Sequence, residues 1–219
     1  MTTIKDVRNA VRPLIARRDD LFSVGRYVLI KPVHHILRGV NIESRRDPDL
    51  FGPCYFVRML VPATTTAASG WGSRFFQTEY SEPVRSSGWS IKKQETIKQM
   101  LDMIEGALPE LYGIETLDDY HAYLAKLPIP WISSRTLENH QILIHAMKGE
   151  LSTSLKLLER SEDLLEYFNG LTPRFHAALR AQNRLEIAQI LHGWEATSVK
   201  TYKIGKYWEK TPFPLEETG

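Results

Sequence analysis

Apolar residues change their period near the middle of this chain, and that change limits what each half can become. Between an N-terminal helix and about residue 90 they come in short β-branched and aromatic runs separated by turn residues, the pattern of strands. From Ile91 onward they recur at helical intervals, as in Ile97, Leu101, Ile104 and Leu108, which form one apolar stripe. A chain that makes strands in one block and helices in another is α+β in class. The expected architecture is a small, mainly antiparallel sheet packed with helices and followed by a helical C-terminal portion.

In the first half, Ile4, Val7, Val11 and Leu14 share a face of an N-terminal helix, which Pro13 is expected to kink or restart because it lacks an amide donor. Tyr27 to Lys31, His35 to Glu43 and Tyr55 to Pro62 have strand character, and the turn-rich SRRDPDLFGP joins the last two as an antiparallel pair. Residues 62–90 are rich in Gly, Pro, Ser and Thr yet contain Trp71, Phe75, Phe76, Tyr80 and Trp89. Long structureless connections are uncommon inside a domain, so Phe75 to Tyr80 is expected to form a further strand, with Trp71 plugging the core.

In the second half, Thr116 to Asp119 has the form of a capping box, and Thr172 before Pro173 is a second helix start. The segment LPIPW at 127–131 divides an α+β portion, 1–128, from a helical portion, 129–219, that ends in an irregular arm; one continuous domain is the alternative. Met147 to Leu157 superposes on Ala181 to Leu191 at an offset of 34, aligning Gly149 with Asn183. That is the length of a tetratricopeptide repeat, but the aromatic signature is absent and two copies are too few for a solenoid. The segment is therefore expected to be a run of ordinary helical hairpins.

Charge divides as the periodicity does. Met1 to Met100 carries 16 Lys and Arg against 9 Asp and Glu, and the remainder 12 against 17. A one-signed surface attracts partners of the opposite sign. No apolar run approaches the roughly 20 residues that span a bilayer, and the N-terminus lacks the apolar core of a secretory signal. Cys54, the one cysteine, cannot form an intramolecular disulfide and is expected to be a small core residue. The expected location is the cytoplasm, with no membrane association.

The sequence assigns no catalytic residue, metal site or cofactor. Adjacent His34 and His35 point to opposite sides of a strand, His140 and His145 are five apart, and neither G-x-x-x-x-G-K nor G-x-G-x-x-G occurs. The glycine-rich SGWGS at 69–73 is not a nucleophile elbow. The sharper signal is two arginines on apolar strand faces, Arg38 with Ile36, Val40 and Ile42, and Arg58 with Phe56 and Leu60. Each must reach an acid, a carbonyl, water or an anion, since an unpaired buried charge is costly. Arg38, Arg58, His34, Trp71 and Arg74 are thus the candidates for binding an anion or a partner. The expected function is that of a protein-interaction, adaptor or toxin-neutralising accessory protein whose basic sheet face receives an acidic protein surface. One alternative is an enzyme acting on an anionic or phosphorylated small molecule, with His34 or His35 as proton donor. The other is a nucleic-acid-binding protein.

Overall fold

The computed structural model describes residues 2–68, 70, 72, 89–127 and 134–217. Trp71, Arg74 and the strand expected at Phe75 to Tyr80 lie outside these residues, as does most of the proposed 128/129 boundary segment. The chain separates into two compact units. The first comprises Met1–Arg58, Ala68–Glu115 and Lys206–Trp208, and the second Met59–Ala67, Thr116–Gly205 and Glu209–Gly219.

The first unit opens with helix α1 (Ile4–Arg17), capped by a reciprocal box in which Thr3 and Asp6 each satisfy the other's backbone amide. Its buried residues Val7, Ala10, Val11 and Leu14 follow the helical stripe. The helix continues through Pro13 and does not restart there. Strand β1 (Leu21–Val24) then turns into β2 (Tyr27–Ile30) through a two-residue hairpin. Gly25 takes φ +59° there, a left-handed conformation that a residue without Cβ adopts at little cost. Strands β3 (Ile36–Ser44), β4 (Leu50–Met59) and β5 (Trp89–Ser90) complete a meander in the order β1-β2-β3-β4-β5. Half of SRRDPDLFGP is strand: the β3–β4 turn is closed by the Arg45 N–H to the Leu50 carbonyl at 3.2 Å.

Strand β3 is buried from Ile36 to Ile42, so both faces of the sheet are covered at its centre. Helix α2 (Gln94–Tyr112), which buries Met100, Leu101, Ile104, Leu108 and Leu111, packs against β3. Tyr207 stacks on Phe22, with ring centroids 3.8 Å apart. Cys54 is buried, its Sγ 3.8 Å from Glu43 Oε1. The glycines of SGWGS have a packing role, since a Cβ on Gly70 would overlap the Val57 carbonyl and one on Gly72 the Tyr55 carbonyl. Only bare backbone can lie this close to β4.

The second unit is helical: α3 (Leu117–Lys126), α4 (Ser134–Met147), α5 (Leu151–Leu158), α6 (Glu162–Leu171), α7 (Pro173–Arg180), α8 (Arg184–Tyr202) and α9 (Pro214–Glu217). The Thr116–Asp119 capping box starts α3, as expected. Residues 59–67 belong to this unit through α8: the Thr64 N–H donates to Ser198 Oγ at 3.0 Å, and Thr201 Oγ1 donates to the Thr64 carbonyl at 2.6 Å. The hairpins α4–α5 and α7–α8 close alike. Lys148, Gly149 and Glu150 donate to Ile144, Ala146 and His145, just as Ala181, Gln182 and Asn183 donate to Ala177, Leu179 and Ala178. The structural offset is therefore 33, not 34, which pairs Gly149 (φ +79°) with Gln182 (φ +51°). Asn183 is instead the N-cap of α8, its side chain accepting the Glu186 amide.

Candidate functional site

Of the two strand arginines, Arg38 is explained by the helix beside it. Helix α2 has no basic residue in its last turn, so the partial negative charge of its terminal carbonyls lacks a local counterion. Arg38 provides one from β3. Although only 7% exposed, it donates through Nη1 to the carbonyls of Leu111 (3.4 Å) and Tyr112 (3.3 Å) and stands 3.6 Å from Glu115 Oε1. Burial pulls its pKa down, and Glu115 opposes that shift. Its guanidinium closes the helix end.

Beside Arg38 is a cleft of about 160 Å³ lined by Lys31, His34, Tyr112 and Glu115, with Ile30 and Ile36 as apolar walls. The structure thus brings two sequence candidates, His34 and Arg38, to one place. Arg58 is elsewhere. The Glu43–Cys54 contact and the Tyr27–Phe56 ring pair at 5.6 Å, with Tyr27 opposite Asn41, put odd-numbered β3 residues on the face of even-numbered β4 residues. Alternation then sets Arg58 with Cys54 and Phe56, on the opposite face from Arg38.

One wall of the cleft is held by a charged network. Arg18 grips Asp20 with its fork at 2.9 and 3.0 Å and donates to Tyr112 Oη at 2.6 Å, while the Tyr112 hydroxyl donates to Asp20. The Arg18 bonds are the largest cause lowering the Asp20 carboxyl to about 2. Burial, followed by the hydrogen bond to Asp20, raises the Tyr112 hydroxyl to about 12. A carboxyl depressed by folding stabilises the fold above its unfolded pKa of about 3.9, and that contribution is lost as pH falls through the folded value. Asp20→Asn is therefore expected to lower Tm at pH 7, with the gap from wild type closing between about pH 4 and 2. Thermal melts across that range check this, and a gap independent of pH would contradict it.

A second feature lies at the sheet edge, where the sequence candidates did not point. The outer side of α1 carries Arg8, Arg12, Ile15 and Ala16, which with Ser23 of β1 line an open groove of about 280 Å³. Arg17 is paired with Glu105 at 2.7 Å and Arg18 with Asp20, but Arg12 reaches only the Asn9 amide oxygen, and Arg8 has no carboxylate partner among the described residues. The signal for this stripe was in the sequence: Arg8 and Arg12 are one turn apart, on a flank of the apolar stripe of Val7, Val11 and Leu14. The edge strand β1 itself is not among the strands expected from the sequence.

Among the described residues no group of three or more His, Cys, Asp or Glu is placed to hold a metal, and no helix is long and apolar enough to cross a membrane. Comparison with protein-family models, curated proteins and solved structures finds no match to this chain.

Proposed function

We propose that this chain is a protein-interaction protein, of the adaptor or toxin-neutralising kind, that receives an acidic protein surface on the basic side of its N-terminal unit. The observation that carries this reading is the division of labour among its arginines. Arg17, Arg18 and Arg38 are engaged internally, whereas Arg8 and Arg12 face outward over a groove without a carboxylate. Exposed cations of this kind contribute mainly to encounter rate and partner choice. The cationic surface lies along α1 beside the sheet edge, because the centre of the sheet is covered on both faces.

Fluorescein-labelled oligoglutamate tests the reading, with a single-stranded oligonucleotide of equal charge as the competing probe. Oligoglutamate binding is expected to weaken between 50 and 300 mM salt, since exposed charges are screened over about 8–10 Å at physiological ionic strength. The double substitution Arg8→Glu and Arg12→Glu is expected to slow association at least about tenfold at low salt. Binding that ignores both salt and this substitution would refute the proposal. Tighter binding of the oligonucleotide would favour the nucleic-acid reading.

The cleft at Arg38 supports a second reading, an enzyme or binder of a small anion, because it gathers Lys31, His34, Tyr112 and Glu115. Calorimetric titration with inorganic phosphate checks it, and His34→Ala should abolish any heat that arises there.

A further inference from the structure

Strand β1 ends the sheet, and among the described residues no strand borders its outer side. The Lys31 N–H donates to the Asp20 carbonyl at 2.9 Å, and this bond sets the phase of the β1–β2 ladder. Alternation then turns the amides and carbonyls of Phe22 and Val24 toward β2, and those of Leu21 and Ser23 outward. The Leu21 N–H is taken by the Arg18 carbonyl at 3.2 Å. The Leu21 carbonyl and both backbone groups of Ser23 therefore remain for a strand outside, and Ser23 also lines the groove under Arg8 and Arg12.

We infer that the partner adds to β1 as an extended acidic segment, pairing its backbone with Ser23 and Leu21 and placing acidic side chains at alternate positions against Arg8 and Arg12. This rests on the acidic-partner reading above and gives it a binding mode. Exposed strand edges are templates for such addition, in which main-chain bonds supply affinity and alternate side chains specificity. The charge is complementary, and the spacing is compatible. Arg8 and Arg12 are separated by about 6 Å along the helix axis, and alternate residues of a strand by about 6.7 Å. Two acids with one residue between them can thus each meet a guanidinium. Ile15 and Ala16 continue the groove with apolar surface, which suits a small or β-branched residue in the same segment.

The test uses the full chain and two labelled, acetylated peptides of equal composition, the alternating Ser-Glu-Val-Glu-Val-Glu-Thr-Gly and the block peptide Ser-Glu-Glu-Val-Val-Glu-Thr-Gly, in which no two glutamates are two residues apart, followed by fluorescence anisotropy. The alternating peptide is expected to bind at least about tenfold more tightly than the block peptide, because only it sets acids two residues apart on one side of an added strand. Ser23→Pro is expected to remove that advantage with little change in Tm, since the lost N–H makes no bond within the sheet. Should Ser23→Pro fail to fold, the alternating peptide N-methylated at every second amide poses the same question, and its binding should fall at least about tenfold. Equal binding of both peptides, lost on Arg8→Glu and Arg12→Glu but indifferent to Ser23→Pro and N-methylation, overturns strand addition and leaves the acidic-partner reading standing. Binding of neither peptide overturns both.

Discussion

Phe175→Ala is expected to cost about 3–5 kcal/mol, the usual range for removing a fully buried aromatic ring. Phe175 is 0% exposed on α7, between Phe168 of α6 (ring centroids 5.4 Å apart) and Trp194 of α8 (5.3 Å). Three helices thus meet on one ring, and its loss leaves a cavity that none can fill without moving the other two. The neighbouring hairpin turn fixes α7 against α8 through the Asn183 N–H to the Ala178 carbonyl, which limits collapse. Because whole domains are stable by about 5–15 kcal/mol, such a loss consumes a large share of the total. Urea unfolding followed by far-UV circular dichroism, most of whose helical signal comes from that unit, measures it through the midpoint shift. A loss below about 1 kcal/mol would mean that the aromatic stack is not the centre of that unit.

The second large effect is expected at Arg38. Arg38→Ala should destabilise the protein by about 2–3 kcal/mol, combining lost hydrogen bonds from a charged donor with lost packing of the buried side chain stem. The carbonyls of Leu111 and Tyr112 lose their donor, and Glu115 loses its ion pair. Arg38→Met separates these contributions, since it keeps much of the stem and removes the charge; it should fall between wild type and alanine. Hydrogen exchange at Gly113 and Ile114, whose amides bond to the last turn of α2, should accelerate in both variants. Binding of oligoglutamate should survive, because Arg8 and Arg12 are untouched. A variant that kept its stability and lost binding would instead make Arg38 an anion holder, as its position on an apolar strand face first suggested.

The α+β class follows from the change of apolar period, and the α3 start from the Thr116–Asp119 box, because each depends on residues within a few positions of one another. The same holds for β2, β3 and the helical stripe of α2. Boundaries were less accurate where tertiary pairing extends an element. Strand β4 begins at Leu50 because it pairs with β5, Leu50 opposite Ser90, in a stretch that turn composition alone marks as loop. The hairpin offset shifted by one because Gln182 occupies the left-handed position that glycine fills at 149, and no local preference of glutamine announces it.

The candidate site divides along the same line. The sequence by itself determined that Arg38 needs a partner, since a guanidinium among Ile36, Val40 and Ile42 cannot remain unsolvated and unpaired, and that Arg8 and Arg12 share a stripe along the flank of the apolar face of Val7 and Val11. Only the tertiary structure decided what the partner is. The end of α2, more than seventy residues further along the chain, meets Arg38 and takes hydrogen bonds from its guanidinium through the Leu111 and Tyr112 carbonyls. It likewise made β1 the last strand of the sheet and laid the α1 stripe beside it, because local periodicity specifies which side of an element is apolar, whereas the packing of distant elements specifies what that side, and the edge it leaves open, will face.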